Sequence, residues 1–222
     1  MTAANDLIPF QEKARNICHQ GRFFFVHNPK AAGTSMRSWL ALNQQNPTTN
    51  TLFEKTIHPK TWESYFTFMV CRNPYDRLVS YYHYSQRQAA FEGDYIGEVV
   101  SRFSWARQLS IRAFFEVAVA IAAKVQRPQV CWARHLDSDK PVDYVIRFED
   151  LAKDSVNEIR KLKERCAGLR NKPDEFPHVN KSRLQGGCNW RDYFKDAEFL
   201  RMVNDYYAED FEFFGYEREV TL

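Results

Sequence analysis

The sequence predicts an α/β fold of three layers, in which a central, mostly parallel sheet is covered by helices on both faces. Three short runs, residues 22–27, 65–70 and 142–151, carry aromatic and β-branched residues in the density that is typical of buried strands. Each run is followed by a segment with helical spacing of its apolar residues, and parallel strands need long connections of this kind.

The length and composition predict one globular domain. The chain has 222 residues, of which 44% are hydrophobic and 27% charged, enough for one sizeable core. We expect a single domain over residues 1–222, with an N-terminal extension over residues 1–21. Residues 85–130 are expected to form a mostly helical region.

The charge and the cysteines exclude several classes. A net charge of +3 is too small to indicate binding to nucleic acid, and it fits an anionic small ligand equally well. The five cysteines are scattered without a CxxC pair, which favours a reducing compartment and no zinc site. No basic segment followed by an apolar core opens the chain, and the longest apolar stretch is interrupted by Glu116. We therefore expect no signal peptide, no membrane span and a cytoplasmic location.

The first strand runs into a loop of small residues, in the stretch FFFVHNPKAAGTSM over residues 23–36. Asn28-Pro29 ends the strand, because the residue before proline is held extended. Gly33 supplies a loop position that is free of Cβ constraints, and Thr34 or Ser35 is predicted to N-cap the helix that follows.

This loop has the composition of an anion site. Backbone N–H groups of Ala31, Ala32, Gly33, Thr34 and Ser35 can converge on a phosphate, with two hydroxyl groups and the helix N-terminus beside them. Lys30 lies at the mouth of the loop as a point charge. The alternative is an ordinary strand-to-helix turn with a surface lysine.

The order of residues in the loop limits which anion it binds. A nucleoside-triphosphate loop has the order GxxxxGK[ST], with Ser or Thr on magnesium. Here the lysine precedes Gly33 and none follows it, and there is no GxGxxG. Metal-assisted phosphoryl transfer is therefore poorly supported, and we expect no metal.

The second loop follows the second strand. Asn73 is a favourable N-cap, Pro74 suits the first helical position, and Asp76 lies at the third. Arg72 lies just past the strand end, and Ser80 shares the polar side of the helix with Asp76. Arg72 and Ser80 together can hold a second anionic group. The alternative is an Arg72–Asp76 pair beside a helical serine with no role.

The remaining elements complete the α/β pattern. Residues 142–151 form a strand that leads into a helix over residues 152–166, which Glu149 and Asp150 are predicted to cap. Residues 196–215 are predicted to be helical with an aromatic end. Both loops lie at carboxyl ends of strands, where ligands bind in sheets of this kind.

The two loops together resemble known motifs. HNPKAAGTSM resembles the 5′-phosphosulfate loop of sulfotransferases that use 3′-phosphoadenosine 5′-phosphosulfate (PAPS), and VCRNPYDRLVSYY resembles the 3′-phosphate motif of the same family. VDYVIRFEDL and the terminal VNKSRL…YF…DFEFFGY are similar to its later segments. The motifs resemble those of the carbohydrate sulfotransferases more than those of the cytosolic small-molecule branch. The resemblance implies a P-loop-NTPase-like fold.

The resemblance also implies roles for particular residues. Lys30 would contact the sulfate-bridging oxygen, Ala32 to Ser35 would wrap the 5′ group, and Arg72 and Ser80 would bind the 3′-phosphate. His58, in KTIHPKTW, matches the catalytic base of the family. Lys181 and Arg183 lie where the family often adds a late phosphate contact. Lys55 lies three residues before His58 rather than two, so it receives no role.

The resemblance implies transfer of a sulfuryl group from PAPS to a hydroxyl acceptor, a glycan in the closest branch, with 3′-phosphoadenosine 5′-phosphate as the other product. The helical region over residues 85–130 would choose the acceptor, but it matches no motif. Two alternatives stay open: a P-loop-type kinase, and a non-catalytic nucleotide-binding protein.

The other histidines and two tryptophans have simpler interpretations. His27 ends a strand and is expected to be structural. No pattern supports a site at the remaining histidines (His19, His83, His135 and His178). Trp39 and Trp190 could stack on adenine, but core packing is the favoured use of each.

Overall fold

The structure is a computed structural model that describes residues 16–41, 59–87, 109–121, 126–177 and 189–220. Its main sheet has the strand order β1-β2-β3-β6, with β1 at Ile17–Cys18, β2 at Phe23–Val26, β3 at Phe66–Cys71 and β6 at Tyr144–Arg147. The first pair is antiparallel, whereas β2–β3 and β3–β6 are parallel. A separate antiparallel pair joins β4, Arg134–His135, to β5, Ser138–Pro141.

Nine α-helices are described within these ranges. In chain order they are α1 Gly33–Trp39, α2 Pro59–Ser64, α3 Pro74–Arg87, α4 Ile111–Ala120, α5 Val130–Ala133, α6 Phe148–Lys153, α7 Ser155–Arg165, α8 Ala197–Tyr206 and α9 Ala208–Phe214. Two short 3₁₀ turns lie at Ala167–Leu169 and Trp190–Tyr193.

Alternate residues of the strands face two separate cores, because successive side chains of a strand point to opposite faces. One face packs against α1, α6 and α7, and carries Phe23, Phe25, Phe68, Val70 and Ile146. The other face packs against α2, α5 and the end of α9, and carries Phe24, Val26, Met69 and Cys71. The three-layer α/β fold with a mostly parallel sheet is confirmed.

A third core lies among helices alone. Apolar residues of α3, α4, α8 and α9 form it, with aromatic contacts such as Phe194 stacked on Phe199 at 5.1 Å. The predicted helix over residues 196–215 is confirmed as two helices that break at Tyr207 and end at Gly215, whose φ of 65° is left-handed. Helix α4 lies in the region predicted to be helical.

The strand predicted over residues 142–151 ends at Arg147, because a helix already begins at Phe148, and the helix predicted over residues 152–166 is in fact two helices. Asp154 separates α6 from α7 and caps α7 by accepting a hydrogen bond from Asn157 N at 3.1 Å. The predicted capping role of Glu149 and Asp150 is therefore wrong for α7. Both residues lie in the first turn of α6, where Glu149 has other partners.

In the part of the chain that the structure describes, no helix combines the length and the apolar composition needed to cross a membrane.

Candidate active site

Two loops meet at the carboxyl edge of the parallel strands. Residues 27–32 follow β2, and residues 72–73 follow β3, which is the neighbouring strand. Parallel pairing with the register Val26↔Met69 brings both strand ends to the same edge. The sequence prediction that the two loops lie together is therefore confirmed.

The first loop enters its helix through left-handed backbone. Ala32 is the N-cap of α1, with a φ of 55°, and α1 begins at Gly33. The prediction that Thr34 or Ser35 caps the helix is wrong, because both lie inside its first turn. Ala32 has no side chain that could cap, so the backbone conformation alone turns the chain into the helix.

Gly33 is required for packing and not for an unusual φ. A Cβ at Gly33 would lie 1.8 Å from Nε2 of His27, so any side chain there would collide with the imidazole. The predicted loop position is thus a helical position under the His27 ring. His27 stacks on Phe25 at 6.1 Å, as its structural interpretation implies.

Two arginines, one directly after β3 and one in α3, hold the backbone of the first loop. Arg77 Nε donates to Pro29 O at 3.1 Å, and Arg72 NH1 donates to Lys30 O at 3.2 Å. Lys30 itself has a φ of 67°. These charged hydrogen bonds stabilise a conformation that a non-glycine residue rarely adopts.

Arg72 is 8% exposed and lies between the two loops. Its Nε pairs with Asp76 at 2.6 Å, and its guanidinium group lies 4.5 Å from the centre of the Phe148 ring. The alternative of an Arg72–Asp76 pair is thus observed. A guanidinium group has five N–H donors, and within the described ranges only two are engaged. Three donors are left for an anion.

The Lys30 ammonium lies on an aromatic ring. Its Nζ is 3.7 Å from the centre of the Tyr84 ring, which belongs to α3. A cation–π contact of this kind holds the long side chain at the edge of the sheet.

Helix α3 begins as the sequence predicted. Asn73 Oδ1 accepts hydrogen bonds from Tyr75 N at 3.0 Å and Asp76 N at 3.4 Å, and Pro74 is the first helical residue. Ser80 lies one turn after Asp76 and is half-buried. The described residues offer its hydroxyl no hydrogen-bond partner.

A buried glutamine that the sequence analysis missed joins the two strand ends. Gln129 Oε1 accepts from Arg72 N at 3.0 Å and from Asn28 Nδ2 at 2.7 Å, and its Nε2 donates to Arg72 O at 2.7 Å. Asn28 Nδ2 also donates to Val70 O at 3.0 Å. No sequence motif marks Gln129, because its partners lie far away along the chain.

Two acids, the buried Asp210 and the half-buried Glu149, complete the support of the second loop. Asp210 accepts from Gln129 N at 2.7 Å and Val130 N at 2.8 Å, and burial raises the pKa of its carboxyl group. Glu149 accepts from Asn73 N at 2.8 Å and from the Tyr216 hydroxyl at 2.7 Å.

The Tyr216 hydroxyl also lies 3.4 Å from Cys71 Sγ, at the end of β3. Burial raises the pKa of the Cys71 thiol to about 12, and it raises the pKa of the Tyr216 hydroxyl as well. Both groups therefore stay protonated at neutral pH.

Five residues that the sequence analysis names lie outside the described residues: Lys55, His58, His178, Lys181 and Arg183. Helix α2 begins at Pro59, so the chain enters a helix directly after His58.

Several other side chains have structural partners. His19 hydrogen-bonds the Tyr65 hydroxyl at 2.8 Å and His83 the Tyr193 hydroxyl at 2.6 Å. Trp39 Nε1 donates to Pro173 O at 2.9 Å, and Trp190 stacks on Tyr75 at 4.6 Å. These contacts show that Trp39 and Trp190 pack against the cores, as the sequence analysis favours.

The described residues contain no group of three or more His, Cys, Asp or Glu side chains that could hold a metal ion.

Comparison with known families identifies the chain. The model of the sulfotransferase family matches residues 14–217, which include both loops, the whole described sheet and helices α1 to α9. The chain therefore belongs to the sulfotransferase family, and the carbohydrate-sulfotransferase branch is consistent with that family. Neither the curated proteins nor the solved structures gave a match.

Proposed function

We propose that this sulfotransferase takes the sulfuryl group from PAPS and transfers it to a hydroxyl group of a glycan. The observation that supports the proposal is the hydrogen bond from Arg72 NH1 to Lys30 O, which joins at one sheet edge the two loops that we propose to bind the anionic groups. A donor with phosphate groups at both its 5′ and 3′ positions needs two such loops side by side.

The residues of the first loop fit a 5′-phosphosulfate group. Ala31, Ala32 and Gly33 carry little or no side chain, so an anion can approach their backbone N–H groups. Lys30 supplies a positive charge beside them. From the Tyr84 ring, its flexible side chain can reach an anion and stabilise the charge that develops on the bridging oxygen.

The residues of the second loop fit a 3′-phosphate group. Among the described residues, Arg72 keeps three N–H donors beyond its contacts with Asp76 and Lys30 O, and its guanidinium group lies 4.5 Å from the centre of the Phe148 ring. Ser80, one turn after Asp76 in α3, adds a hydroxyl donor. Lys181 and Arg183 are proposed as additional phosphate contacts.

His58 is proposed as the base that takes the proton from the acceptor hydroxyl. PAPS supplies an activated sulfuryl group, so that a new S–O bond to the acceptor forms as the bond to the 5′-phosphate breaks. A histidine has an ordinary pKa near 6.5, so it is available as a base at neutral pH. The scheme gives the protein the tasks of placing the reactants and stabilising charge, and it needs no metal.

We propose that residues 85–130, which the sequence predicts to be mostly helical, choose the acceptor within a single domain that spans residues 1–222. The class of glycan is to be found by screening. We also propose a cytoplasmic location.

The test is transfer of radiolabelled sulfate from PAPS to a panel of glycans and small alcohols, with wild type and the His58→Ala variant. We expect the variant to lose roughly 10² to 10⁴-fold in transfer rate and to bind 3′-phosphoadenosine 5′-phosphate nearly as well as wild type. A fully active variant would remove His58 from the mechanism, with Glu92 or His83 as the next base to test. Absence of transfer to every acceptor, with intact nucleotide binding, would favour a non-catalytic nucleotide-binding protein.

A further inference from the structure

Gln129 is the residue through which the ends of β2 and β3 are joined. Its side chain is 0% exposed and lies against the backbone of Arg72. The side-chain amide accepts a hydrogen bond from Arg72 N and donates one to Arg72 O, as the backbone of a neighbouring strand would do. The same Oε1 also accepts from Asn28, which begins the first loop. One amide group thus hydrogen-bonds to both loops, to Asn28 of the first and to Arg72 of the second.

Gln129 is itself held in place by a buried acid. Both carboxylate oxygens of Asp210 accept backbone N–H groups, from Gln129 at 2.7 Å and from Val130 at 2.8 Å. Asp210 is 0% exposed and belongs to α9, so the contact ties the segment of Gln129 to the helical core. The glutamine therefore reaches the loops from a rigid base.

The contacts leave little freedom to the loops. Arg72 carries backbone bonds to Gln129 on both its N–H and its C=O, and its side chain continues to Lys30 O. A continuous path of hydrogen bonds runs from Asp210 through Gln129 and Arg72 to Lys30. A shift of Gln129 would change the position of Arg72 and of the first loop at once.

We propose that Gln129 is a positioning residue that couples the two donor-binding loops, so that the 5′ and the 3′ groups of the nucleotide are bound by one preorganised surface. This role rests on the proposed function, because it assumes that the two loops bind the two ends of PAPS. Removal of the amide leaves Asn28 and the backbone of Arg72 without these hydrogen-bond partners. A buried polar group without a partner costs free energy, so the two residues should shift toward other partners.

The role predicts a pattern of affinities that differs from that of Arg72. Loss of the Arg72 side chain should weaken PAPS far more than adenosine 5′-phosphosulfate, which lacks the 3′-phosphate and loses only the support that Arg72 gives to Lys30 O. Loss of the Gln129 amide should displace both loops, so the affinities for both nucleotides should fall together, each by about tenfold or more.

The experiment compares Gln129→Leu with Gln126→Leu as a matched control. Gln126 is also buried, three residues earlier, but it hydrogen-bonds the Tyr207 hydroxyl and neither loop. Both nucleotides are titrated calorimetrically against each variant, and the melting temperature of each variant is recorded. We expect both variants to be destabilised and only Gln129→Leu to lose affinity.

Two further variants keep the test decisive if Gln129→Leu does not fold. Gln129→Glu keeps the acceptor for Asn28 and for Arg72 N and removes the donor to Arg72 O. Asn28→Ala removes the contact of Gln129 with the first loop, together with the bond from Asn28 to Val70 O. Each should weaken both nucleotides by several-fold. Unchanged affinities in these variants, or in a folded Gln129→Leu protein, would overturn the role of Gln129. Wild-type protein that binds neither nucleotide would instead refute the proposed function itself.

Discussion

Lys30 has its backbone held by hydrogen bonds and its side chain on a ring. Arg72 fixes its carbonyl oxygen, and the Tyr84 ring lies under its ammonium group. Lys30 itself belongs to none of the three cores, so its side chain contributes little to stability. Its placement beside the small residues of the first loop is what gives it a chemical role.

For this reason Lys30→Ala should cost rate and not stability. We expect a fall in kcat of roughly 10²-fold or more if the ammonium group stabilises the transition state. Alanine and lysine meet the same backbone strain at a φ of 67°, so the substitution adds none. Steady-state kinetics with a melting curve checks this. An unchanged kcat with intact nucleotide binding would remove Lys30 from the mechanism.

Cys71 gives a residue-scale prediction that depends on its pKa. The thiolate is the form that reacts with alkylating reagents, and a thiol with a pKa of about 12 is almost wholly protonated at pH 8. Cys71 is also 0% exposed, whereas Cys131 is exposed. Iodoacetamide at pH 8 should label Cys131 in the native protein and Cys71 only after unfolding, as seen by peptide mass spectrometry. Rapid native labelling of Cys71 would contradict its burial behind Tyr216.

Individual side chains were the hardest part of the site to predict from sequence. Lys30 and Arg72 were found because each follows a recognisable strand. Gln129 was not found, because its partners Arg72 and Asn28 lie 57 and 101 residues away along the chain. Only tertiary packing brings an isolated amide to two strand ends.

At the scale of elements, the strands and helix α3 were predictable because local signals agree there. The apolar runs predict β2 and β3, and the Asn73-Pro74 pair predicts the start of α3. The start of α1 was missed, since a left-handed alanine in place of a capping side chain leaves no signal. The break at Asp154 was missed because the amphipathic pattern continues across it.

The cap of α3 links the stability of an element to the site. Asn73→Ala should lower the free energy of unfolding by about 1 kcal/mol, since it removes an N-cap. Asp154→Ala removes the equivalent cap of α7, at a helix that does not border the loops, and should cost a similar amount. Nucleotide affinity should fall in Asn73→Ala alone, because Asn73 directly follows Arg72. Urea denaturation and calorimetric titration check the pair, and equal affinities in the two variants would separate the cap from the site.

The whole molecule places its chemistry where parallel sheets commonly do, at the carboxyl ends of neighbouring strands. That arrangement was predictable from the order of strands and helices. The third core of α3, α4, α8 and α9 was not, because helix packing among distant segments leaves no spacing pattern in the chain.

The alternative of a P-loop-type kinase makes a different prediction for the intact enzyme. A kinase needs Mg²⁺ to bridge its phosphates, whereas the proposed sulfuryl transfer uses Lys30 and backbone N–H groups instead. We expect transfer from PAPS to keep its full rate after prolonged treatment with EDTA. Loss of activity that Mg²⁺ restores would favour the kinase.

The most direct test of the account is a calorimetric titration of PAPS and adenosine 5′-phosphosulfate against wild type and Arg72→Ala. Hydrogen bonds to charged groups contribute roughly 1.5–3 kcal/mol each, so Arg72 and Ser80 together should give about 10² to 10⁴-fold preference for PAPS. Arg72→Ala should remove most of that preference by weakening PAPS far more than adenosine 5′-phosphosulfate, which loses only the support that Arg72 gives to Lys30 O. Arg72→Lys should restore part of the preference, since lysine offers a point charge in place of a fork. Equal losses for the two nucleotides in a variant that keeps its circular dichroism spectrum would contradict the assignment of Arg72 to the 3′-phosphate. No preference in the wild type would contradict a PAPS site at this edge of the sheet.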